Sequence, residues 1–131
     1  MANPNIVNVS AIYGNTTYLT PSGTSAVVLL PNAASSNKVF KIESIVATNS
    51  NTSTAFNATV AVYTNGGQAQ GSAPSGGTAY PLISTASVPA NSALVVVDKS
   101  TGFYLQENVS ISVTSGSANQ LTFTVSYEDI S

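Results

Sequence analysis

The feature that most constrains the fold is a strict alternation of apolar and small polar residues in the stretch QLTFTVSY. Leu121, Phe123, Val125 and Tyr127 are each separated by a single Thr or Ser. A period of two places these four side chains on one face of a β-strand. We therefore predict a strand over residues 120–127 whose four apolar side chains face a core.

The same period recurs along the chain between clusters of Gly, Pro, Asn and Ser, which is the pattern of short strands joined by turns. Further strands are predicted over residues 5–13, 17–19, 24–30, 38–48, 57–64, 79–84, 93–97, 102–105 and 109–113. Thr and Val are common, and Ala, Leu, Glu and Lys nowhere cluster at helical spacing. The prediction is an all-β fold, a jelly-roll-like antiparallel β-sandwich of about eight to ten strands.

Two of these strands carry more detailed predictions. The strand at 24–30 is expected to stop at the Pro31-Asn32 pair, because proline lacks the N–H that a strand ladder uses. In the strand at 38–48, strict alternation puts Phe40, Ile42 and Val46 on one face and Lys41 and Glu43 on the other.

The length predicts one domain, a single β-sandwich over residues 1–131 with a short N-terminal arm at 1–12. A long flexible loop is predicted at 65–78, where the sequence NGGQAQGSAPSGGT has no strand pattern. Two interpretations of this loop stay open: a mobile hairpin tip, or an arm that orders against a neighbouring subunit. In either case we expect the loop to be dispensable for folding, since loop-closure entropy grows slowly with length.

Composition argues against several functional classes. The chain has no His and no Cys, which removes the commonest general base and metal ligand and all thiolate chemistry. We expect no enzymatic activity, no cofactor and no metal. Three lysines and no arginine are too few to neutralise a run of phosphates, so no nucleic-acid partner is expected. No apolar run is long enough to span a bilayer, and no secretory signal pattern begins the sequence, so we expect no membrane association and synthesis in a cytoplasm.

The surface is expected to be neutral rather than charged. Only 6% of residues are charged and 43% are hydrophobic, while the polar remainder is dominated by Ser, Thr and Asn. Chains with little net charge tend to associate. Two interpretations of this composition stay open: a soluble domain of low charge, or a subunit whose surface is largely covered by its neighbours.

The N-terminal segment is the predicted interface. Ile6, Val7, Val9 and Tyr13 give the strand predicted at 5–13 apolar groups on both faces. A strand with two apolar faces has two partners. One is expected to be the domain's own core, and the other a neighbouring chain reached by strand addition to an open edge.

Three stretches, KIESIVATNSNTSTAFNATVAVY, VPANSALVVVDKSTGFYLQENVSISV and LTFTVSYEDI, carry a family resemblance over residues 38–130. Read together they resemble small virion structural proteins of tailed bacteriophages, including those that infect cyanobacteria. The shared features are a Lys-Ile strand that runs into an Asn turn, a Val-Pro-Ala turn and a Glu-Gly-Asp-like corner. Here Gln106-Glu107-Asn108 replaces that corner, and because Asn tolerates a positive φ we expect the turn to survive.

The resemblance implies a sandwich subunit of a virion, assembled in the host cytoplasm and without enzymatic activity. The leading hypothesis is a capsid decoration, or cement, protein that binds the major capsid protein on the outer shell. A homo-oligomer is expected, with a trimer favoured. The alternatives are a neck, tail or fibre component, which would contact other virion subunits, and a carbohydrate-binding β-sandwich. The last would use exposed aromatic side chains, for which the candidates are Tyr80, Tyr104 and Tyr18.

Overall fold

A computed structural model of the chain describes residues 7–131, and these form two antiparallel sheets packed face to face. The strands are β1 (Ile12–Leu19), β2 (Val27–Asn32), β3 (Val39–Asn49), β4 (Phe56–Tyr63), β5 (Ala79–Val88), β6 (Ser92–Val97), β7 (Phe103–Leu105), β8 (Val109–Ser115) and β9 (Leu121–Ile130). One 3-10 turn at Lys99–Thr101 is the only helical element within the described residues. The all-β sandwich predicted from the alternation is confirmed.

The strand order is that of a jelly roll. The front sheet has the order β1-β9-β3-β6, with β7 also paired to β3, and the back sheet has the order β2-β8-β4-β5. Since β6 and β7 both lie beside β3, they occupy one strand position, which leaves eight positions in two four-stranded sheets. Each sheet interleaves strands from the two halves of the chain, as two Greek keys wound into a jelly roll require.

The core lies between the sheets and is built by the inward faces of both. Leu121, Phe123 and Val125 of β9 are fully buried there, and Tyr127 is partly buried against the same cluster. The predicted inward face of β9 is therefore confirmed. The other fully or largely buried members are Leu29, Leu30, Phe40, Ile42, Ile45, Ala47, Ala58, Val60, Val88, Val97, Leu105, Ile111 and Val113.

The predicted face of β3 is wrong beyond its fourth residue. The pairing of β3 with β9 shifts register between Ile42 and Ser44, which marks a β-bulge. One extra residue in a strand reverses the faces of all residues after it. Ile45 and Ala47 are consequently fully buried, and Val46 lies on the outer side of the front sheet.

The predicted end of the second strand is also wrong, because β2 includes Pro31 and Asn32. Proline is tolerated there since β2 is an edge strand, with β8 as its one strand partner among residues 7–131. Asn32 is buried, and its Nδ2 donates hydrogen bonds of 3.0 Å to the carbonyl oxygens of Lys38 and Leu105. The amide thus ties β2 to the beginning of β3 and the end of β7, whose backbone acceptors would otherwise be unpaired in the interior. The fifth strand, predicted over 79–84, runs on to Val88.

The turns behave as their residues predict. Asn108, at the corner where the sequence departs from Glu-Gly-Asp, has a φ of 59°, and Asn91 in the β5–β6 turn has a φ of 55°. Asn is among the non-glycine residues that enter the left-handed region most readily. The turn at Asn108 thus has the positive φ that was expected of it.

The segment at 65–78 is attached to its own sandwich. Gly71 N–H donates to the carbonyl oxygen of Val28 (2.8 Å), and Val28 N–H donates to that of Ser72 (2.9 Å), so the loop adds a short ladder to the free edge of β2. Gln70 Nε2 donates to the carbonyl oxygen of Leu29 and to Thr17 Oγ1, both at 2.9 Å. These bonds tie the loop to both sheets. They argue against the expectation that the loop is dispensable for folding, which stays a prediction to be tested by replacing the loop.

This loop also covers part of the outer face of the back sheet. Gly77 N–H donates to Tyr63 Oη at 2.9 Å, and Ser110 Oγ donates to the carbonyl oxygen of Asn65 at 3.0 Å. Tyr63 and Ser110 both point away from the core yet are buried. Gly66 allows the close approach, because a Cβ there would overlap the carbonyl oxygen of Asn32.

Candidate interaction surface

The predicted interface residues do not form one strand. Ile6 lies outside the described residues. Val7 is in a turn and is 91% exposed, and Val9 is partly buried in irregular chain, because the first strand begins only at Ile12. Tyr13 lies on β1, directly opposite Asp129, and is 64% exposed. The predicted strand at 5–13, with Val7, Val9 and Tyr13 on one side, is therefore wrong.

The reason for this difference lies in the pairing of β1 with β9. The two strands pair without a register shift from Ile12 opposite Ile130 to Leu19 opposite Phe123. Backbone bonds between residues 10 and 11 and Ser131 extend this ladder by a short distance. Leu19 packs partly buried beside Phe123, and this contact sets the register. The strand therefore occupies the residues IYGNTTYL, in which apolar and polar residues do not alternate regularly.

β1 forms an edge of the front sheet, with β9 as its one strand partner among residues 7–131. Three of its apolar side chains, Ile12, Tyr13 and Tyr18, are more than half exposed. An edge strand presents a row of backbone donors and acceptors to which another chain can add. β1 thus combines exposed apolar side chains with an open strand edge, the two features that strand addition would require.

The outer side of the front sheet carries a continuous uncharged surface, which we call the neutral face. Directly opposite residues of antiparallel strands share a face. The registers of β1, β9, β3 and β6 therefore place eleven side chains together in three rows. The rows are Thr20, Thr122, Thr48 and Ala93; Tyr18, Thr124, Val46 and Val95; and Thr16, Ser126 and Ser44.

Hydroxyl pairs tie the neutral face together across the strands. Thr20 Oγ1 lies 2.8 Å from Thr122 Oγ1, and Thr16 Oγ lies 3.0 Å from Ser126 Oγ. Tyr18 is 70% exposed and Val95 58% exposed, and they stand at opposite ends of the middle row. The polar side of β9 carries no charged residue before position 128, and this was the signal for the neutral face in the sequence. Alternation by itself identifies that side of the strand only as solvent-facing.

The neutral face is of moderate size. Strands about 4.8 Å apart and rows about 6.8 Å apart give roughly 400 Å². A standard stable interface takes about 800 Å² from each partner. This face supplies about half of such an area, and the adjoining edge of β1 is the nearest exposed apolar surface that could supply more.

The three tyrosines predicted as carbohydrate contacts do not form one platform. Tyr80 lies on β5 of the back sheet, Tyr18 on β1 and Tyr104 on β7. Tyr104 lines a cavity of about 200 Å³ together with Lys41, Glu43 and Lys99, and its own side chain is 51% exposed.

The ionisable groups have structural partners that explain most of their positions. Lys38 Nζ donates to Asp129 Oδ2 at 3.0 Å beside the aromatic pair of Phe40 and Tyr127. Burial raises the pKa of the Tyr127 hydroxyl, and the nearby Asp129 carboxylate raises that pKa further. Asp98 caps the 3-10 turn, and the hydrogen bond from the Ser100 hydroxyl holds its pKa below the usual value.

The part of the chain that the structure describes contains neither a metal-binding cluster nor a membrane-spanning helix. Within residues 7–131, no three His, Cys, Asp or Glu side chains come together as a metal-binding group. No helix in the same range is long and apolar enough to cross a membrane.

Comparisons with models of known protein families, with curated proteins and with solved structures found no match for this chain.

Proposed function

We propose that this protein is a structural subunit of a tailed-phage virion, a capsid decoration protein that binds the major capsid protein on the outer shell without catalysing a reaction. The observation that carries this proposal is the neutral face beside the open edge of β1. The sequence resemblance over residues 38–130 gives the class of particle. The fold is compatible, since jelly rolls build viral capsid and lectin domains, although a fold by itself does not imply a function.

The chemistry of the neutral face suits docking onto another protein. Removing a charged side chain from water costs several kcal/mol per ion unless it is paired. Thr, Ser, Val and Tyr avoid that cost, and their hydroxyls can form new hydrogen bonds across an interface. The back sheet offers less free surface for docking, because its outer side is partly covered by residues 65–78.

The modest area of the neutral face suggests that binding is multivalent. A homo-oligomer, for which a trimer is our leading expectation, would present several such faces at once. Linked sites bind with an avidity that exceeds the single-site affinity by about 10²–10⁴ when the geometry permits. Sedimentation of the purified protein tests the oligomer, and a monomer at micromolar concentration would contradict this part of the proposal.

Substitution on the neutral face tests the docking surface. Val95→Lys places a charge among the exposed apolar side chains, and we expect co-sedimentation with purified particles to fall by tenfold or more. Leu82→Lys is the matched control, because Leu82 is also an exposed apolar residue but lies on β5 of the back sheet. Equal binding by both folded variants would show that the front sheet is not the contact.

The predicted N-terminal arm has its own test. Deleting residues 1–9 leaves the ladder that begins with Ser10 and Ser131 intact, and we expect weaker particle binding with an unchanged melting temperature. Raising the salt concentration should change binding little, because few ion pairs are available to screen. A collapse of binding between low and moderate salt would instead identify Lys38, Lys41 and Lys99 as the contacts.

The number of copies in a purified particle distinguishes the locations within a virion. A decoration protein follows the symmetry of the shell and should be present in copies on the order of hundreds. A copy number near a dozen, or a small multiple of six, would favour the alternative of a neck, tail or fibre component. Absence from the particle would contradict all of these locations.

A further inference from the structure

The cavity beside Tyr104 combines features that the proposed docking function does not use. It has a volume of about 200 Å³ and lies where β3 pairs with β7, beside the 3-10 turn at Lys99–Thr101. Its lining residues are Lys41, Ile42, Glu43, Lys99, Gly102, Phe103 and Tyr104. Clefts for drug-sized ligands measure about 300–1,000 Å³, so this one admits a single small unit.

Charge is concentrated at this cavity. The chain has eight charged side chains, and three of them, Lys41, Glu43 and Lys99, line it. Lys41 Nζ lies 3.6 Å from Glu43 Oε1, so these two largely neutralise each other. Lys99 forms no salt bridge with the residues that the structure describes. The lining charges sum to +1, although Glu128 of β9 stands opposite Lys41 just outside the lining. The group in the cavity that can bind a negatively charged ligand is therefore Lys99.

The backbone of the turn that carries Lys99 is ordered without a ligand. Asp98 Oδ1 accepts hydrogen bonds from Ser100 N–H (2.9 Å) and Thr101 N–H (3.2 Å), and Thr101 Oγ1 accepts one from Asp98 N–H (3.1 Å). This reciprocal cap orders the turn that begins with Lys99. Gly102 lets the turn pack on β3, because a Cβ there would lie 2.6 Å from the carbonyl oxygen of Ile42. A preorganised turn lowers the entropy cost of binding.

An aromatic ring and a carboxylate complete the lining. Tyr104 is directly opposite Lys41 in the register of β7 and β3 and is 51% exposed, so its ring is available for stacking. The C–H face of a sugar ring is apolar and packs on such a ring. Glu43 can accept hydrogen bonds from sugar hydroxyls. A carboxylate on the ligand would bind Lys99 through a charge-assisted hydrogen bond.

We propose that this cavity binds one carboxylate-bearing sugar unit, a uronic acid residue of an acidic polysaccharide. The carboxylate binds Lys99, the hydroxyls contact Glu43 and the sugar ring packs on Tyr104. The cavity uses none of the eleven side chains of the neutral face, although Lys41 lies one row beyond Ser44 on the same side of the front sheet. Sugar binding is measured without particles, so a failure of either proposal leaves the other testable.

The test is a titration of the ¹⁵N-labelled protein, followed by amide chemical shifts, with glucuronate and with short oligogalacturonates. We expect shifts concentrated at residues 41–43 and 99–104, with affinity that rises from the monosaccharide to the oligomers. Glucose, which has the same ring without the carboxylate, should bind at least about tenfold more weakly, because a hydrogen bond to a charged group is lost. No saturable shifts with any uronate would overturn the proposal.

Single substitutions test the proposed roles of Lys99, which binds the carboxylate, and of Tyr104, which packs on the sugar ring. Lys99→Met and Tyr104→Ala should each raise the dissociation constant for oligogalacturonate by about tenfold or more. Lys38→Met and Tyr80→Ala are the matched controls, since they remove a lysine and an exposed tyrosine away from the cavity and should bind like the wild type. Equal losses in variants and controls would overturn the site.

An acidic peptide is the competing ligand. Short oligoglutamate supplies the carboxylate without the sugar ring, and we expect it to bind at least about tenfold more weakly than oligogalacturonate and to be insensitive to Tyr104→Ala. Equal or tighter binding of the peptide would overturn the sugar assignment.

Discussion

Truncation of Phe123 tests the core most directly. Its ring is fully buried on β9 and lies between Leu19 of β1 and Ala47 of β3, which occupy the opposite positions on the two neighbouring strands. Ala47 is small, so the ring fills space that no neighbour can reclaim after truncation. Phe→Ala changes at such sites cost about 3–5 kcal/mol, because lost burial and the remaining cavity add.

The expected shift in melting temperature follows from the chain length. An unfolding entropy of about 2.1 cal/mol/K per residue gives roughly 0.28 kcal/mol/K for the 131 residues. A loss of about 3–5 kcal/mol therefore lowers the melting temperature by about 11–18 °C. Phe123→Leu, which leaves a smaller void, should cost less than half as much.

Thermal unfolding followed by circular dichroism measures this series. Tyr80→Ala is the matched control, because Tyr80 is 60% exposed on β5, and its melting temperature should lie within about 2 °C of the wild type. If Phe123→Ala also melts within about 2 °C of the wild type, the ring does not stabilise the core as argued.

Three further predictions concern the loop and one ionisable side chain. Gly66→Ala should lower the melting temperature clearly, since its Cβ would overlap a carbonyl oxygen at the end of β2, whereas Gly14→Ala, where a Cβ meets nothing within 4 Å, should be neutral by the same thermal scan. Replacing residues 65–78 with an Asn-Gly turn should destabilise the fold in urea, because it removes the ladder on β2, and an unchanged midpoint would restore the interpretation of a dispensable loop. Because the folded pKa of Tyr127 is raised, its stabilising contribution is complete below the unfolded pKa of about 10 and is lost as the pH rises through the folded value. Tyr127→Phe should flatten this alkaline loss in stability measured against pH, and an equally steep loss in the variant would assign it to another group.

The sequence was sufficient to predict a strand or turn where a single local pattern determines which face is buried or which backbone conformation is adopted. β9 alternates without interruption, so its inward face was predictable, and Asn108 fits a left-handed turn wherever that turn occurs. β3 was predicted only as far as Ile42, because a bulge depends on how two strands meet and leaves no mark in the alternation.

The interface was harder to predict than the core. β1 was misplaced because its position is set by pairing with β9, more than a hundred residues later in the chain, and not by its own residues. The neutral face joins four strands from distant parts of the sequence, and only their registers bring its rows together. The cavity beside Tyr104 likewise depends on the contact of Gly102 with Ile42, which no local pattern indicates.

The central position of β9 in the front sheet has a consequence for how the protein is made. On a ribosome, β1 and β3 emerge long before the strand that lies between them, since β9 is the last strand in the chain. Until β9 is synthesised, the side chains of β3 that are buried in the folded protein lack a neighbour on one side. The nascent chain therefore exposes apolar surface and an unpaired strand edge, both of which promote aggregation. Closing loops of this size before the contacts form is slow, so we expect folding on the scale of milliseconds to seconds once β9 has emerged. A chaperone that holds the emerging chain would raise the yield more than it would for a protein of similar size built from local hairpins.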